Sequence, residues 1–483
     1  MKLKKMVSLV LAGVMVTGLL GGCGSGGENT SESQAEQNGR QNQDSQAGGQ
    51  GETGDGQVTL HLFGPGLLST VGESGSMDLV SGLELPGYQV IIDRWNQLHP
   101  NVKLVIEAQP WDNWQAAIQT AVLSGDVDII MHGASLADLD EPLDPYLEKE
   151  PELLNQIYTV AQRRTDTTGD MSVMTTTGMS YVMNPMMCIL DKQIFDHYGL
   201  ELPDESWTWG DLVELGRKMT GIDPVTGEQT WGIRMTQTDS VGNRYFNYQL
   251  IASAYDAKAF FYGKTLQECS ANLTGEKTTR VFKTIQDIAG CLSPDVREGI
   301  NVSKTITADN TFAIQWEQDP FTRYNEIKAC KGEDRFVLMT MPAIEDGELK
   351  GKPSLFMGDH NMSICNTSKN KEWAWEFLKF MATDEVVTDW VIGCMQLPNN
   401  REGMDRVKEL MGEQFSTPMV RALEQSPVGF SNSTNDYFNN VSFGSVTADT
   451  GNAIGEILMD NMKPEEAGPY IQKNIDEYLQ SKK

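Results

Sequence analysis

The stretch QVIIDRWNQLHPNVKLVIEAQPWDNWQAAIQTAVLSGDVDIIM, residues 89–131, decides the fold class of this chain. Its first ten residues place apolar side chains at helical spacing and Pro100 follows, so a helix is predicted over 90–98. Residues 102–107 have the pattern of a strand, and another strand is predicted before the stretch, at 58–63. The region therefore begins with strand, helix and strand.

A second helix in the same stretch has its own start and end signals. Asp112 precedes it with Gln115 three residues later, as in a capping box, and Gly125 ends it. Residues 127–131 have the apolar character of a third, buried strand. Strands and helices that alternate in this order predict a parallel α/β unit. The alternation returns later, with strands predicted at 183–190 and 336–341 and helices at 209–219, 371–381 and the C-terminus.

The first 22 residues have the composition of a secretory signal peptide. Three lysines precede an apolar segment over 6–20, which is too short to span a bilayer and is followed by two glycines and Cys23. The sequence Leu20-Gly21-Gly22-Cys23 resembles the bacterial lipobox, in which the cysteine receives diacylglycerol. A lipid-anchored protein on the extracytoplasmic face of the cell membrane is therefore predicted. The alternative is an ordinary signal peptide with an incidental cysteine.

Residues 23–56 are predicted to be the lipidated cysteine and a flexible polar linker. From residue 24 onward the linker is almost entirely small and polar and has no aromatic residue, so it cannot bury enough apolar surface to fold. The chain carries a formal net charge of −29 at pH 7, which argues against nucleic acid and against electrostatic binding to anionic lipid. Attachment to the membrane must therefore come from the lipid on Cys23.

Six cysteines follow Cys23, and none belongs to a C-x-x-C pair. Cys188, Cys365 and Cys394 have apolar neighbours, which favours free buried thiols, although disulfides stay open for an exported protein. The five histidines are scattered without metal-ligand spacing. The acidic turn at 221–227 lacks the spacing of a calcium loop, and a plain turn is expected. No metal and no cofactor are predicted.

Several segments resemble the extracellular solute-binding protein family 1, which serves ABC importers. They are IDRWNQLHPNVKL with the following SGDVDII, LDKQIF with SWTWGDL, NTSKNKEWAWEFL with LPNN, and the C-terminal amphipathic helix. The resemblance implies an α/β, two-lobed periplasmic-binding-protein-like fold of type II, with lobes joined by hinge crossings and a ligand cleft between them. It implies lobe 1 over 57–182 and 357–405, and lobe 2 over 183–356 and 406–483.

Three positions depart from the family pattern. Residues 64–87 form an enlarged loop after the first strand, and 188–192 stand where Tyr-Asn-Lys is common. Asp319-Pro320-Phe321 replaces a usual Gly-Pro-Trp. The first and third departures lie where ligand would be recognised.

The resemblance also places individual side chains at the cleft. His132 and Ser135 follow the third strand, and Asp359 and His360 lie on the second crossing. A core histidine is the plain alternative for His132, and a hinge loop is the alternative for the crossing. Four tryptophan positions are instead expected in the core, namely Trp114, Trp209, Trp390 and one of Trp373 and Trp375. The aromatic residues expected to stack on ligand are Tyr245, either Phe321 or Trp316, and Tyr437, and a core position is the plain alternative for each.

Aromatic and polar residues mixed in loops suit a sugar, whose rings present C–H faces and hydroxyls. By resemblance the chain is a monomeric binder of a carbohydrate, with an oligosaccharide favoured, that delivers its ligand to ABC permease subunits. The alternatives are an exported glycosidase-like enzyme, with two carboxylates at suitable separation, and a binder of a non-sugar solute. No nucleophile motif occurs in a convincing context, so no catalytic residue is predicted.

Overall fold

A computed structural model describes residues 57–78, 82–110, 114–132, 139–164, 170–235, 238–300, 306–354, 357–425 and 444–481. The predicted signal peptide, Cys23, the linker, Ser135 and Tyr437 lie outside these residues.

The strands alternate with helices as the sequence predicts. They are β1 Val58–Gly64, β2 Ser76–Met77, β3 Glu84–Leu85, β4 Val102–Ala108, β5 Ile129–Met131, β6 Val160–Arg164, β7 Met174–Pro185, β8 Met187–Asp191, β9 Gly221–Ile222, β10 Gln229–Arg234, β11 Phe260–Phe261, β12 Ser270–Ala271, β13 Phe312–Glu317, β14 Phe336–Thr340 and β15 Met357–Ile364.

The helices are α1 Leu67–Val71, α2 Gln89–Leu98, α3 Trp114–Ser124, α4 Asp144–Leu147, α5 Leu153–Gln156, α6 Lys192–His197, α7 Trp209–Lys218, α8 Val241–Ala254, α9 Glu276–Ala289, α10 Pro294–Arg297, α11 Pro320–Ala329, α12 Lys371–Thr383, α13 Glu385–Gly393, α14 Arg401–Met411, α15 Glu413–Gln425, α16 Gly444–Leu458 and α17 Pro464–Ser481. Each helix predicted from apolar spacing is present.

Two larger sheets organise the chain. The first, which we call the lobe 1 sheet, has the order β4-β1-β5-β15-β7-β6. Strand β1 pairs in parallel with β4 and β5, whereas β15, β7 and β6 add antiparallel pairs. The second, the lobe 2 sheet, has the order β14-β8-β13-β10-β9, in which β10 and β13 are parallel. The α/β, two-lobed architecture is confirmed.

The chain passes between the two sheets through buried strands. The strand predicted at 183–190 is in fact divided, because β7 ends in the lobe 1 sheet at Pro185 and β8 begins in the lobe 2 sheet at Met187. The return passage lies between β14 and β15. After α13 the chain returns to lobe 1, where the amide nitrogen of the buried Asn399 donates to the carbonyl oxygens of Thr159, at 2.8 Å, and Ser180, at 2.6 Å.

Separate apolar cores support the two sheets. Trp375 and Trp390 are buried on the lobe 1 side, and Trp209 is fully buried on the lobe 2 side. Trp114 corrects the prediction of a core position, because it is only partly buried at the margin of a small cluster under α3. The helical spacing identified the inward face of α3, but it could not show that few apolar residues pack against Trp114.

The enlarged loop at 64–87 contains α1 and the β2–β3 hairpin. Its end is tied to α13, since the indole nitrogen of Trp390 donates to the carbonyl oxygen of Pro86 at 2.9 Å.

The six body cysteines are free, and all but Cys330 are buried. In the turn at 221–227 the Asp223 carboxylate accepts hydrogen bonds from the backbone N–H groups of Val225 and Thr226, both at 2.8 Å, which is the geometry of a plain Asx turn. Within the described part of the chain, no helix is both long and apolar enough to cross a bilayer. The same residues contain no group of three or more side chains suited to hold a metal ion.

Candidate functional site

The carboxyl ends of parallel strands locate the candidate site. In lobe 1, β1 ends at Gly64 and β5 ends just before His132; in lobe 2, β10 ends at Arg234 and β13 at Glu317. Ligands of open α/β sheets bind in crevices beyond the carboxyl ends of such strands. Strand β15, which pairs with β5, and its neighbour β7 belong to the lobe 1 sheet and lead to the passages between the lobes. The candidate site therefore has two walls, one from each lobe.

A hydrogen-bonded carboxylate forms the centre of the lobe 1 wall. Asp359 on β15 is 8% exposed and accepts from the Ser180 hydroxyl at 2.6 Å and from the Asn361 amide at 3.1 Å. The pairing of β15 with β7 is irregular between His360 and Asn361, which brings these polar side chains together. Burial raises the pKa of the Asp359 carboxyl, against the opposing effects of His132 and the two hydrogen bonds.

His132 stands beside this carboxylate in an uncommon backbone conformation. Its φ is 57°, in the left-handed region, and its backbone N–H donates to the carbonyl oxygen of Asn361 at 2.7 Å. Its ring meets the edge of Trp114 with a centroid separation of 5.2 Å. Burial lowers the pKa of the imidazole, although Asp359 acts in the opposite direction. A neutral imidazole can both donate and accept hydrogen bonds.

His360 adds a second neutral imidazole to the lobe 1 wall. Burial, together with the charge of His132, lowers its pKa to about 3. The ring lies 6.1 Å from that of Tyr181, which itself stacks on Trp390 at 6.5 Å. A Cβ added to Gly66 would lie 3.3 Å from the Tyr181 hydroxyl and 3.5 Å from Nδ1 of His360, so the enlarged loop closely approaches both rings.

The lobe 2 wall is built from ion pairs. Arg234, with a fully buried side chain, pairs with Glu317 at 2.8 Å and donates to the Gln315 amide oxygen at 3.1 Å. On α11, Arg323 pairs with Glu326 at 2.9 Å. Burial raises the pKa of Glu326 to about 7, against the opposing charge of Arg323.

The two walls meet at the turn between β13 and α11. A Cβ on Gly358 of β15 would lie 3.1 Å from Cδ of Gln318, so the Gln318 amide lies against the lobe 1 backbone. The next residue, Asp319, has a φ of 59° and is partly exposed. This turn is therefore the part of lobe 2 that borders the lobe 1 wall.

The structure brings some of the expected site residues together and separates others. His132, Asp359 and His360 share the lobe 1 wall. The aromatic rings expected to stack on ligand are packed inside lobe 2: Tyr245 stacks on Tyr248 at 5.9 Å, Trp316 is fully buried and donates to Asn247 at 3.1 Å, and Phe321 stacks on Tyr324 at 6.3 Å. In this conformation none of the three presents a ring face to the site, and their contact with ligand stays a prediction.

Sequence reasoning missed Ser180, Asn361, Tyr181 and Gln318 as residues of the site. A signal for Ser180 does exist, because the run TTTGMS occupies a strand that is buried at all of these positions. Small polar residues in a wholly buried strand require hydrogen-bond partners. What the run could not show was that the partner would be a carboxylate on β15.

Two walls of hydrogen-bonding groups, on lobes joined by buried strands, define a two-lobed binding protein. The family model described as bacterial extracellular solute-binding protein matches residues 81–388, and the chain belongs to this family. The sequence matches no curated protein.

Solved structures share the fold. The sugar-binding protein MalE from Xanthomonas citri is 13% identical with a TM-score of 0.63, over 88% of this chain and 98% of that chain. A cyclic alpha-maltosyl-1,6-maltose binding protein from Arthrobacter globiformis is 15% identical with a TM-score of 0.60, over 88% and 99%. An ABC transporter solute-binding protein from Thermotoga lettingae, bound with alpha-D-tagatose, is 16% identical with a TM-score of 0.59, over 88% and 100%. At these identities the likeness concerns the fold.

Proposed function

We propose that this protein captures a carbohydrate, an oligosaccharide in particular, between its lobes and delivers it to the permease of an ABC importer. The observation that carries the proposal is the lobe 1 wall, where Asp359, Ser180 and Asn361 form one hydrogen-bonded group beside the rings of His132 and His360. Sugar hydroxyls both donate and accept, so they match carboxylate, amide and neutral imidazole groups. Family membership and the sugars named for several structural neighbours support the same class of ligand.

Binding without turnover is the expected behaviour. A ligand that binds only the folded state stabilises it by RT ln(1 + [L]/Kd), about 2.7 kcal/mol at a hundredfold excess over Kd. Thermal unfolding should be measured with cycloalternan and alpha-D-tagatose, and with the sugar alcohol D-mannitol, each of which a structural neighbour binds. At least one should raise the melting temperature and be recovered chemically unchanged.

Two results would change this proposal. A sugar recovered hydrolysed would favour the exported enzyme. Stabilisation by amino acids, peptides or polyamines alone would leave the family assignment unchanged but would contradict a carbohydrate as the ligand. The variant Asp359→Asn tests the lobe 1 wall. It should reduce the sugar-induced rise in melting temperature, because an amide replaces one acceptor oxygen with a donor.

Membrane attachment forms a separate part of the proposal. It rests on the sequence Leu20-Gly21-Gly22-Cys23 and the polar linker that follows. The variant Cys23→Ala should leave the membrane fraction, whereas Cys330→Ala, at a body cysteine, should stay in it. Retention of Cys23→Ala at the wild-type level would exclude the lipid anchor.

A further inference from the structure

Asp319 differs from the other acidic residues of the lobe 2 wall. Glu317 and Glu326 pair with arginines, but no described residue donates a hydrogen bond to the Asp319 carboxylate or forms an ion pair with it. Asp319 precedes α11 as its N-cap residue, yet its side chain does not cap the helix. The carboxylate is thus left available at the turn that touches lobe 1.

The backbone at this position makes an aspartate unexpected on grounds of packing alone. A φ of 59° lies in the left-handed region, which glycine adopts freely and which costs other residues free energy. Strained positions of this kind concentrate at functional sites. Since the carboxylate neither caps α11 nor pairs with an arginine, its contribution to the fold does not account for it.

The charges around Asp319 leave an excess of negative charge. Arg234 and Arg323 lie among Glu317, Asp319 and Glu326, and the charges of Asp295 and Asp78 also act on this group, so five carboxylates surround two guanidinium groups. From the lobe 1 side, Gln318 contacts Gly358, which is followed by the carboxylate of Asp359. Both arginines are already paired, so a ligand carboxylate entering here would meet net negative charge and find no uncommitted cation in these pairs.

We propose that Asp319 is the lobe 2 residue that accepts hydrogen bonds from the ligand, so that it selects carbohydrates presenting donor groups, such as neighbouring hydroxyls, and rejects anionic sugars. This inference rests on the proposed function and sharpens it to uncharged or cationic carbohydrates.

The ionisation of Asp319 then couples affinity to pH. Burial raises the pKa of its carboxyl to about 6, with the charge of Arg323 opposing and that of Glu317 adding to the effect. Hydrogen bonds from the ligand favour the ionised form and lower this pKa on binding. Affinity should therefore be full above about pH 7 and fall as the pH decreases through about 6.

The test compares wild-type protein with Asp319→Asn and Asp319→Gly by calorimetry at pH 7.5 and pH 5. The probes are cycloalternan and alpha-D-tagatose as neutral sugars, the glucosamine trimer as a cationic one and trigalacturonate as an anionic one. The matched control is Asp460→Asn, because Asp460 has the same φ of 59° but pairs with Arg297 at 2.9 Å on the C-terminal side of α16. Asp319→Gly removes the carboxylate while relieving the backbone strain, and its melting temperature separates a loss of affinity from a loss of folding.

We expect both Asp319 variants to bind the neutral or cationic probe at least roughly tenfold more weakly than wild type. Their melting temperatures should be unchanged or higher. Their affinity should also lose most of its dependence on pH. Asp460→Asn should behave as wild type. Equal affinity in wild type and Asp319→Asn, or tight binding of trigalacturonate, would overturn the role of Asp319 and leave the proposed function standing. No binding of any probe would overturn the proposed function, and this inference with it.

Discussion

The two walls of the site use polar groups in different ways. The lobe 1 wall is a hydrogen-bonded group around one carboxylate, with two imidazoles whose pKa values are lowered by burial. The lobe 2 wall is a set of buried ion pairs, with one further carboxylate that lacks a partner among the described residues. In lobe 1 the hydrogen bonds to one carboxylate fix the geometry of the wall, whereas in lobe 2 the buried ion pairs place several charges around one turn. Under the proposed function, the lobe 1 wall is the preformed surface and the lobe 2 wall provides the selectivity.

The largest effect is expected from breaking the buried ion pair of lobe 2. Arg234→Met leaves Glu317 as an uncompensated buried charge, which should lower the free energy of unfolding by about 3–5 kcal/mol. Urea unfolding at pH 7.5 measures this loss in the free energy of unfolding. The double variant Arg234→Met/Glu317→Gln should recover most of the loss. A single variant within 1 kcal/mol of wild type would show that charge pairing does not hold this wall.

A smaller loss is expected from the hydrogen bond at the centre of lobe 1. Ser180→Ala removes the hydroxyl that donates to Asp359, and a bond to a charged group contributes about 1.5–3 kcal/mol. The matched control is Ser354→Ala in lobe 2, where a neutral hydroxyl accepts from the indole of Trp209 at 3.1 Å and about 1 kcal/mol is expected. Equal losses at both serines would remove the distinction between a carboxylate-centred network and an ordinary buried hydrogen bond.

The pH dependence of stability should have opposite signs in the two walls. Burial raises the pKa of Glu326 to about 7, so its stabilising contribution is full below its unfolded pKa near 4.5 and is lost as the pH rises through 7. Burial lowers the pKa of His360 to about 3. This residue therefore stabilises the folded state at pH values above its unfolded pKa near 6.5, and the contribution is lost as the pH falls towards 3.

Melting temperatures of Glu326→Gln and His360→Asn from pH 4 to 8.5 separate the two effects. Relative to wild type, Glu326→Gln should gain stability between pH 5 and 8, by roughly 1–3 kcal/mol. His360→Asn should gain between pH 6.5 and 4. Parallel curves for all three proteins would show that neither group titrates differently on folding.

The smallest effect is expected at the margin of lobe 1. Trp114 is only partly buried, so Trp114→Ala should cost about 1 kcal/mol, the typical effect of a substitution outside a core. Trp209→Ala, at a fully buried position in lobe 2, is the control and should cost several times more because it leaves a cavity. A cost for Trp114→Ala equal to that control would restore the sequence-based expectation of a core residue.

Much of the fold was predictable from local pattern. The alternation of period 3.6 and period 2 between residues 58 and 131, with stops at Pro100 and Gly125, identified β1, α2, β4, α3 and β5 in order. The site was predictable in part. His132, Asp359 and His360 were found through their positions after a strand and on a crossing, whereas Ser180, Asn361 and Gln318 were not.

The amino-acid sequence by itself determined the order of strands and helices, the apolar face of each and the family. Those properties follow from local geometry, because side-chain direction repeats with a fixed period in each element. The tertiary structure alone decided that Trp316 and Phe321 lie within lobe 2 and that Asp359 meets Ser180. It also decided that Asp319 forms no ion pair with any described residue, although Arg323 is near. These outcomes depend on which distant strand or helix packs against a given face. The periodicity of a local sequence identifies that face, but it does not identify the element that packs against it.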